Sequence, residues 1–126
     1  MEKGALWVQR VFWWSGVYGI IALLPNYVME ARFGMDHPPA ITHPEFYYGF
    51  TGVGLAWQVA FFIIAKNPVR YRSLMIPSML EKVAFSAAVA VLWSQSRVPQ
   101  LYVMAAAVDL ALAALFFVAF LKTPVE

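Results

Sequence analysis

Four long apolar segments limit what this chain can fold into. They cover residues 11–29, 47–65, 77–93 and 101–121, and each is close to the roughly 20 helical residues that cross about 30 Å of hydrocarbon. The composition agrees, because 62% of the residues are hydrophobic and only 13% are charged, whereas a typical soluble domain is about a quarter charged. We therefore predict an all-α fold, an integral membrane four-helix transmembrane bundle in which residues 1–126 form a single transmembrane domain.

Lysine and arginine are distributed unequally between the connections. One side of the predicted bundle has six of them: Lys3, Arg10, Lys66, Arg70, Arg72 and Lys122. The other side has only Arg32 and Arg97. Because cytoplasmic loops carry an excess of positive residues, we predict a multi-pass topology with the N- and C-termini in the cytoplasm. This topology also explains the net charge of +2, so no nucleic acid partner is predicted.

The outer connection, residues 30–46, contains the histidines of the chain. His37 and His43, with Asp36 and Glu45, are the residue types that supply nitrogen and oxygen ligands to divalent metals. Their spacing matches no established metal motif and the chain has no cysteine, so a solvated loop is favoured over a metal site. Three prolines also oppose a continuous helix. We expect an irregular loop over the outer mouth of the bundle, with no metal and no cofactor.

Glu81 and Lys82 lie side by side near the start of the third apolar segment. Ser78 and Glu81 have the spacing of a capping box, in which each side chain satisfies a backbone donor of the other residue. Pro77 disfavours helical geometry at the residue before it. The favoured interpretation is therefore a helix that begins at Ser78, with Glu81 in its first turn and Lys82 reaching the cytoplasmic water.

An alternative interpretation continues this helix back to Ser73 through Pro77. Glu81 then lies roughly 10 Å inside the membrane by helical rise. With Tyr18 and Gln58 it would form a polar layer inside the bundle. Such a layer suits the polar head of a lipophilic ligand.

Asp109 lies inside the fourth apolar segment, roughly 12 Å from its outer boundary by helical rise. An acid at this depth is expected to face the bundle interior and is a functional candidate by default. By depth, its predicted partners are Ser86 and Asn26, with Gln58 somewhat deeper. We expect no strong direct pair with Lys82, because the two side chains lean toward opposite membrane faces. A structural hydrogen bond between helices and a functional role both remain open.

Small residues recur at four-residue intervals in three of the apolar segments. The stripes are Ser15 with Gly19, Gly52 with Ala56, and Ala105 with Asp109 and Ala113. Small side chains let helices approach closely in lipid, where no hydrophobic force brings them together. We expect these stripes to pack helices of one chain together. A seam between subunits of a homo-oligomer or larger membrane complex is the alternative.

Four short motifs carry a resemblance to a group of known proteins: residues 43–50 (HPEFYYGF), the pair Trp57 and Gln58, residues 67–72 (NPVRYR) and the pair Glu81 and Lys82. Together they resemble small uncharacterised bacterial four-helix membrane proteins, which implies a bacterial inner membrane location. In architecture the chain is similar to DoxX-like proteins and to the EXPERA group of sterol isomerases and ligand-binding proteins. EXPERA proteins place acidic residues around a lipophilic ligand, a role that the resemblance offers to Glu81 and Asp109.

Two functions are consistent with this sequence. The first is a non-enzymatic membrane subunit, assembly factor or oligomeric component, because almost the whole chain is membrane span. The second is binding, carriage or isomerisation of a lipophilic small molecule, using Asp109 with Gln58 or Glu81. The ligand-binding candidates are Asp109, Gln58, Glu81, Tyr18, Ser86 and Asn26. No catalytic residue is assigned, enzyme activity is left open with a non-enzymatic role favoured, and membrane lipids are the expected partners in both cases.

Overall fold

The computed structural model describes residues 3–126, which form five α-helices and no strand. The helices are α1 (Lys3–Leu23), α2 (Glu30–Asp36), α3 (Pro44–Lys66), α4 (Met75–Ser94) and α5 (Gln100–Lys122), and 3-10 turns cover Leu24–Val28 and Arg72–Leu74. All except the short α2 are long and apolar enough to cross a membrane. The prediction of an all-helical chain with four apolar helices of spanning length is confirmed.

The helices extend beyond the apolar segments that predicted them. α1 already includes Lys3 and Arg10, which were expected to precede the helix, and α3 begins at Pro44 instead of Tyr47. Proline is well accommodated in the first turn of a helix, where its missing N–H has no intrahelical acceptor. The apolar segments therefore mark the part of each helix that can lie in lipid, and the helices themselves continue into polar residues.

The outer connection is partly helical, so the prediction of an irregular loop over residues 30–46 is wrong for its first half. α2 occupies Glu30–Asp36 and ends before the Pro38–Pro39 pair. Phe33 on α2 contacts three aromatic rings, with centroid distances of 5.0 Å to His37, 6.0 Å to Tyr102 and 6.2 Å to Tyr47. The prolines stop the helix, as expected, but they leave enough residues before them for a short helix held by aromatic packing.

α4 ends in a Schellman motif at Ser96. The Ser96 N–H donates to Trp93 O at 2.9 Å, and the Arg97 N–H donates to Leu92 O at 2.9 Å. These are the two bonds of that motif, which requires a left-handed residue after the helix end. Ser96 takes this conformation with φ 57°, although glycine usually occupies the position.

The four long helices form two antiparallel pairs. α1 packs along α3, and α4 packs along α5. The two pairs meet mainly where α1 packs on α5, and α3 and α4 meet only over a few residues. Within the first pair, the Gln58 amide occupies the space that a Cβ atom at Gly19 would fill. Ser15, Gly19 and Ala113 are buried inside the chain. The two stripes that contain these residues therefore pack helices of one chain, as expected. In the stripe of Gly52 and Ala56, by contrast, Ala56 is exposed.

A core of phenylalanines fills one end of the bundle. Phe12 stacks on Phe116 at 4.3 Å between centroids, and Phe61 meets the edge of Phe116 at 5.0 Å. Nearby, Arg72 Nε donates to Thr123 O at 2.8 Å and its guanidinium lies 3.8 Å from the centre of the Phe120 ring. We call this end, formed by the start of α1, residues 66–74 and the end of α5, the basic end.

Candidate functional site

The helix that carries Glu81 and Lys82 starts earlier than predicted. α4 begins at Met75 and continues through Pro77, and no side chain caps it. Ser78 Oγ donates to Leu74 O at 2.7 Å instead of binding a free N–H near Glu81. The predicted capping box and the predicted helix start at Ser78 are therefore wrong. The helix does continue through Pro77, as in the alternative interpretation, although it begins at Met75 and not at Ser73. Glu81 lies about 9 Å along the helix from Met75 by helical rise.

Lys82 turns into the bundle and does not extend to its end. Its Nζ atom lies 3.4 Å from Asp109 Oδ1, 3.6 Å from Glu81 Oε2 and 5.2 Å from the centre of the Phe61 ring. The expectation that Lys82 and Asp109 form no strong direct pair is wrong, because the two side chains form an ion pair. Each side chain does lean toward the N-terminus of its own helix, but this separates the two charged groups by only a small distance along the bundle. The four-carbon stem of lysine is long enough to span that distance.

Lys82, Glu81 and Asp109 form what we call the charged cluster. The Lys82 side chain is only 4% exposed, compared with 23% for Glu81 and 14% for Asp109. Asp109 therefore faces the bundle interior, as expected from the cost of placing an acid against lipid. Lys82 was not predicted to belong to this site, although the chain offered no other cation within an apolar segment.

The charged cluster has more acceptors than donors. Two carboxyl groups face one ammonium group, and Glu81 Oε2 is buried without a hydrogen-bond partner in the described part of the chain. A buried charge is stable only where it is paired and hydrogen-bonded. The cluster is therefore complementary to one more hydrogen-bond donor or positive charge.

Ser86 joins α4 to α5 close to this cluster. Its Oγ lies 3.0 Å from Lys82 O and 3.0 Å from Ala106 O. The predicted contact between Ser86 and Asp109 is not formed, because the hydroxyl is used by the two backbone carbonyls. Ser86 therefore supports the packing of the helix pair that carries the charged cluster.

Gln58 is almost fully buried between α3 and α1. Its Nε2 donates to Gly54 O at 2.8 Å, and its Oε1 has no hydrogen-bond partner among residues 3–126. The amide lies against Gly19. Gln58 is thus a second interior residue with an unused acceptor, but it makes no hydrogen bond with Asp109.

Asn26 belongs to a separate network near the outer connection. Its Nδ2 donates to Thr51 Oγ1 at 3.1 Å, and its carbonyl accepts a hydrogen bond of 2.8 Å from Tyr47. Asn26 was predicted as a partner of Asp109 and is instead held by the start of α3. The signal for this network in the sequence is limited to two polar residues, Tyr47 and Thr51, four positions apart on α3.

Tyr18 lines an open groove of about 390 Å³ between α1 and α5. The groove runs from Trp7 and Arg10 to Tyr18 along α1, and from Leu115 to Val108 along α5. Its walls are mainly apolar. Val108 directly precedes Asp109, and Leu112 follows it by three residues; both side chains line the groove. The groove therefore reaches the level of the charged cluster from the outer surface of the bundle.

The two histidines lie apart from this site. His43 Nδ1 is 3.2 Å from Glu45 Oε1, and His37 packs against Phe33. Asp36 is paired with Arg32 at 3.1 Å. Within residues 3–126 there is no group of three or more histidine or acidic residues that could hold a metal ion.

Comparison of the chain with protein-family models, with curated proteins and with solved structures finds no match. The resemblance to DoxX-like and EXPERA proteins therefore stays a prediction.

Proposed function

We propose that this protein binds a lipophilic molecule within the membrane, and that the molecule presents a hydroxyl or amine group to the charged cluster. The observation that carries this proposal is the acceptor excess around Lys82, where Glu81 Oε2 accepts no hydrogen bond and has only the ion pair with Lys82 at 3.6 Å. An acidic head group would add a third negative charge to two carboxyls, so it is disfavoured. A donor or a cation would complete the cluster.

The groove between α1 and α5 supports this proposal. Its apolar walls suit a hydrocarbon tail, and its volume of about 390 Å³ lies within the range of small-molecule sites. Tyr18 at its inner end offers a hydroxyl close to the level of Asp109. A molecule that enters from the bilayer can therefore keep its tail in the groove while its head approaches the acids.

The test is to identify what the protein retains during purification. Organic extracts of the protein, isolated in mild detergent, are compared by mass spectrometry between wild type and variants. Leu112→Trp fills the groove, and Asp109→Asn removes one charge of the cluster. Leu110→Trp is the matched control, because Leu110 is 57% exposed and does not line the groove.

We expect a lipophilic alcohol or amine in wild type and in Leu110→Trp, at a ratio to protein that falls at least fivefold in the other two variants. Equal recovery from all four proteins would mean that the molecule binds elsewhere. Absence of any such molecule from wild type, with the fold intact, would refute the proposal.

The second candidate is a non-enzymatic subunit or oligomeric component. It is favoured because interior polar side chains already have partners within the chain. Lys82 pairs with Asp109, and Ser86 donates a hydrogen bond to Ala106 O. These contacts hold α4 against α5 and need no ligand. In this case Asp109→Asn reduces stability or co-purification of a partner protein, and it leaves the lipophilic extract unchanged.

We also infer the orientation of the chain from its charge distribution. The basic end carries six lysine and arginine residues of the sequence, which supports cytoplasmic termini. A bacterial inner membrane is proposed from the resemblance alone.

A further inference from the structure

A second groove, of about 440 Å³, lies on the other side of α1, against α3. We call it the α1/α3 groove; it is lined by Gln9, Arg10, Trp13, Phe62, Ala65 and Lys66. The centroids of the Trp13 and Phe62 rings are 4.8 Å apart. The small side chain of Ala65 also lines the groove. The groove thus combines an aromatic wall with two cationic side chains.

Both cations lie at the same end of this groove. On α1, Arg10 precedes Trp13 by three residues, and on the antiparallel α3, Lys66 follows Phe62 by four residues. Helical rise places the backbone of each cationic residue about 4.5 to 6 Å beyond that of the aromatic residue on the same helix, toward the basic end. The groove is therefore apolar where it faces the hydrocarbon and positive where the helix pair ends.

Neither cation is neutralised within the described part of the chain. The ion pairs formed by residues 3–126 involve Arg32, His43 and Lys82, and none includes Arg10 or Lys66. Both side chains are exposed or line the open groove. Two uncompensated cations beside an apolar surface match a negative head group joined to a hydrocarbon chain.

We propose that the α1/α3 groove binds one anionic phospholipid from the bilayer, with its phosphate at Arg10 and Lys66 and an acyl chain along Trp13 and Phe62. Basic pockets between membrane helices recognise anionic head groups in this way. A free phosphate would use the two cations alone, whereas a phospholipid also covers the apolar wall. The proposal is independent of the lipophilic molecule at the charged cluster, because Lys66, Trp13 and Phe62 do not line that groove.

The experiment is native mass spectrometry of the detergent-solubilised protein, titrated with phosphatidylglycerol or with phosphatidylcholine of the same acyl chains. We expect one phosphatidylglycerol molecule to be retained in preference to phosphatidylcholine. Lys66→Gln and Arg10→Gln should each weaken its binding about fivefold, since a basic residue near an anionic lipid contributes about 1 kcal/mol. Arg97→Gln, at the opposite end of the bundle, is the control and should bind like wild type.

Three results would overturn the proposal. Equal retention of the two lipids would show that the head-group charge is not recognised. Equal weakening by Arg97→Gln would show a general effect of charge and not a site. Displacement of phosphatidylglycerol by inorganic phosphate at matched ionic strength would show that the cations alone form the site. Lys66→Gln is the more specific variant, because Arg10 lines both grooves.

Discussion

Lys82 Nζ lies 3.4 Å from Asp109 Oδ1, so a single ammonium on α4 pairs with an acid on α5 inside the apolar part of the bundle. The same nitrogen is 3.6 Å from Glu81 Oε2. Lysine is the most buried member of the three and is the shared partner of both acids. Substitutions in this cluster should therefore have unequal effects, depending on whether they remove the shared cation or one of its two partners.

Lys82→Met should destabilise the fold more than Asp109→Asn does. Methionine keeps much of the length and fills the space beside Phe61, but it leaves two carboxyls without a cation. Removing one partner of a buried pair typically costs about 3 to 5 kcal/mol. Asparagine at position 109 still offers Lys82 a carbonyl acceptor, and Glu81 stays in place, so we expect about 1 to 2 kcal/mol. The measurement is the free energy of unfolding in mixed micelles titrated with a denaturing detergent.

A double variant provides the control for this comparison. Lys82→Met with Asp109→Asn removes the cation together with the charge of one acid. It should lose less stability than the sum of the two single changes, because both single changes break the same contact between Lys82 and Asp109. If Asp109→Asn is as damaging as Lys82→Met, the lysine is not a shared partner and the cluster is a simple pair.

Gly19→Ala should weaken the contact between α1 and α3. An added Cβ would overlap the Gln58 amide, which is buried and hydrogen-bonded to Gly54 O. Overpacking of this kind costs about 1 to 3 kcal/mol. Gly49→Ala is the control, since a Cβ there meets nothing within 4 Å. Thermal unfolding followed by circular dichroism should show a lower midpoint for Gly19→Ala only, and Gln58→Ala in the same chain should restore part of the loss.

The architecture followed from the sequence because an apolar segment of about 20 residues has few other ways to fold in lipid. The ends of the helices were predicted less accurately from the sequence. The segment from Glu30 to Asp36 is short and polar, and its helix depends on packing of Phe33 against Tyr47 and Tyr102, which lie far away in the sequence. Such contacts leave no local pattern that could be read in advance.

The charged cluster was predicted only in part, for two physical reasons. The inward direction of Asp109 follows from the cost of exposing an acid to lipid. The role of Lys82 was missed because Ser78 and Glu81 fit a capping box equally well, and only the i−4 hydrogen bond of Ser78 shows that the helix continues before them. Asn26 was assigned to Asp109 by depth alone, and depth does not define how a helix is rotated about its axis.

Ser96→Gly should stabilise the protein by about 0.5 to 1 kcal/mol. Ser96 holds φ 57° at the end of α4, a left-handed conformation that costs a residue with a Cβ roughly 1 to 2 kcal/mol and glycine very little. The greater freedom of glycine in the unfolded chain offsets part of this gain. Ser94→Gly is the control, because Ser94 is the last residue of α4 and has helical geometry. An unfolding midpoint that falls for both variants would mean that the Schellman motif at Ser96 is not formed.

Single cysteines at positions 42 and 73 should react with a membrane-impermeant maleimide from opposite sides of the membrane. The chain has no cysteine of its own, so each label reports one site without background. Thr42 is exposed between α2 and α3, and Ser73 is exposed in the turn before α4, at the other end of α3. In intact cells we expect Thr42→Cys to be labelled and Ser73→Cys to be protected until the membrane is opened, because the positive residues at the basic end favour the cytoplasm. Reaction of both cysteines from outside would contradict a span between them, and reaction of Ser73→Cys alone would reverse the orientation and place the phospholipid site proposed at Arg10 and Lys66 in the outer leaflet.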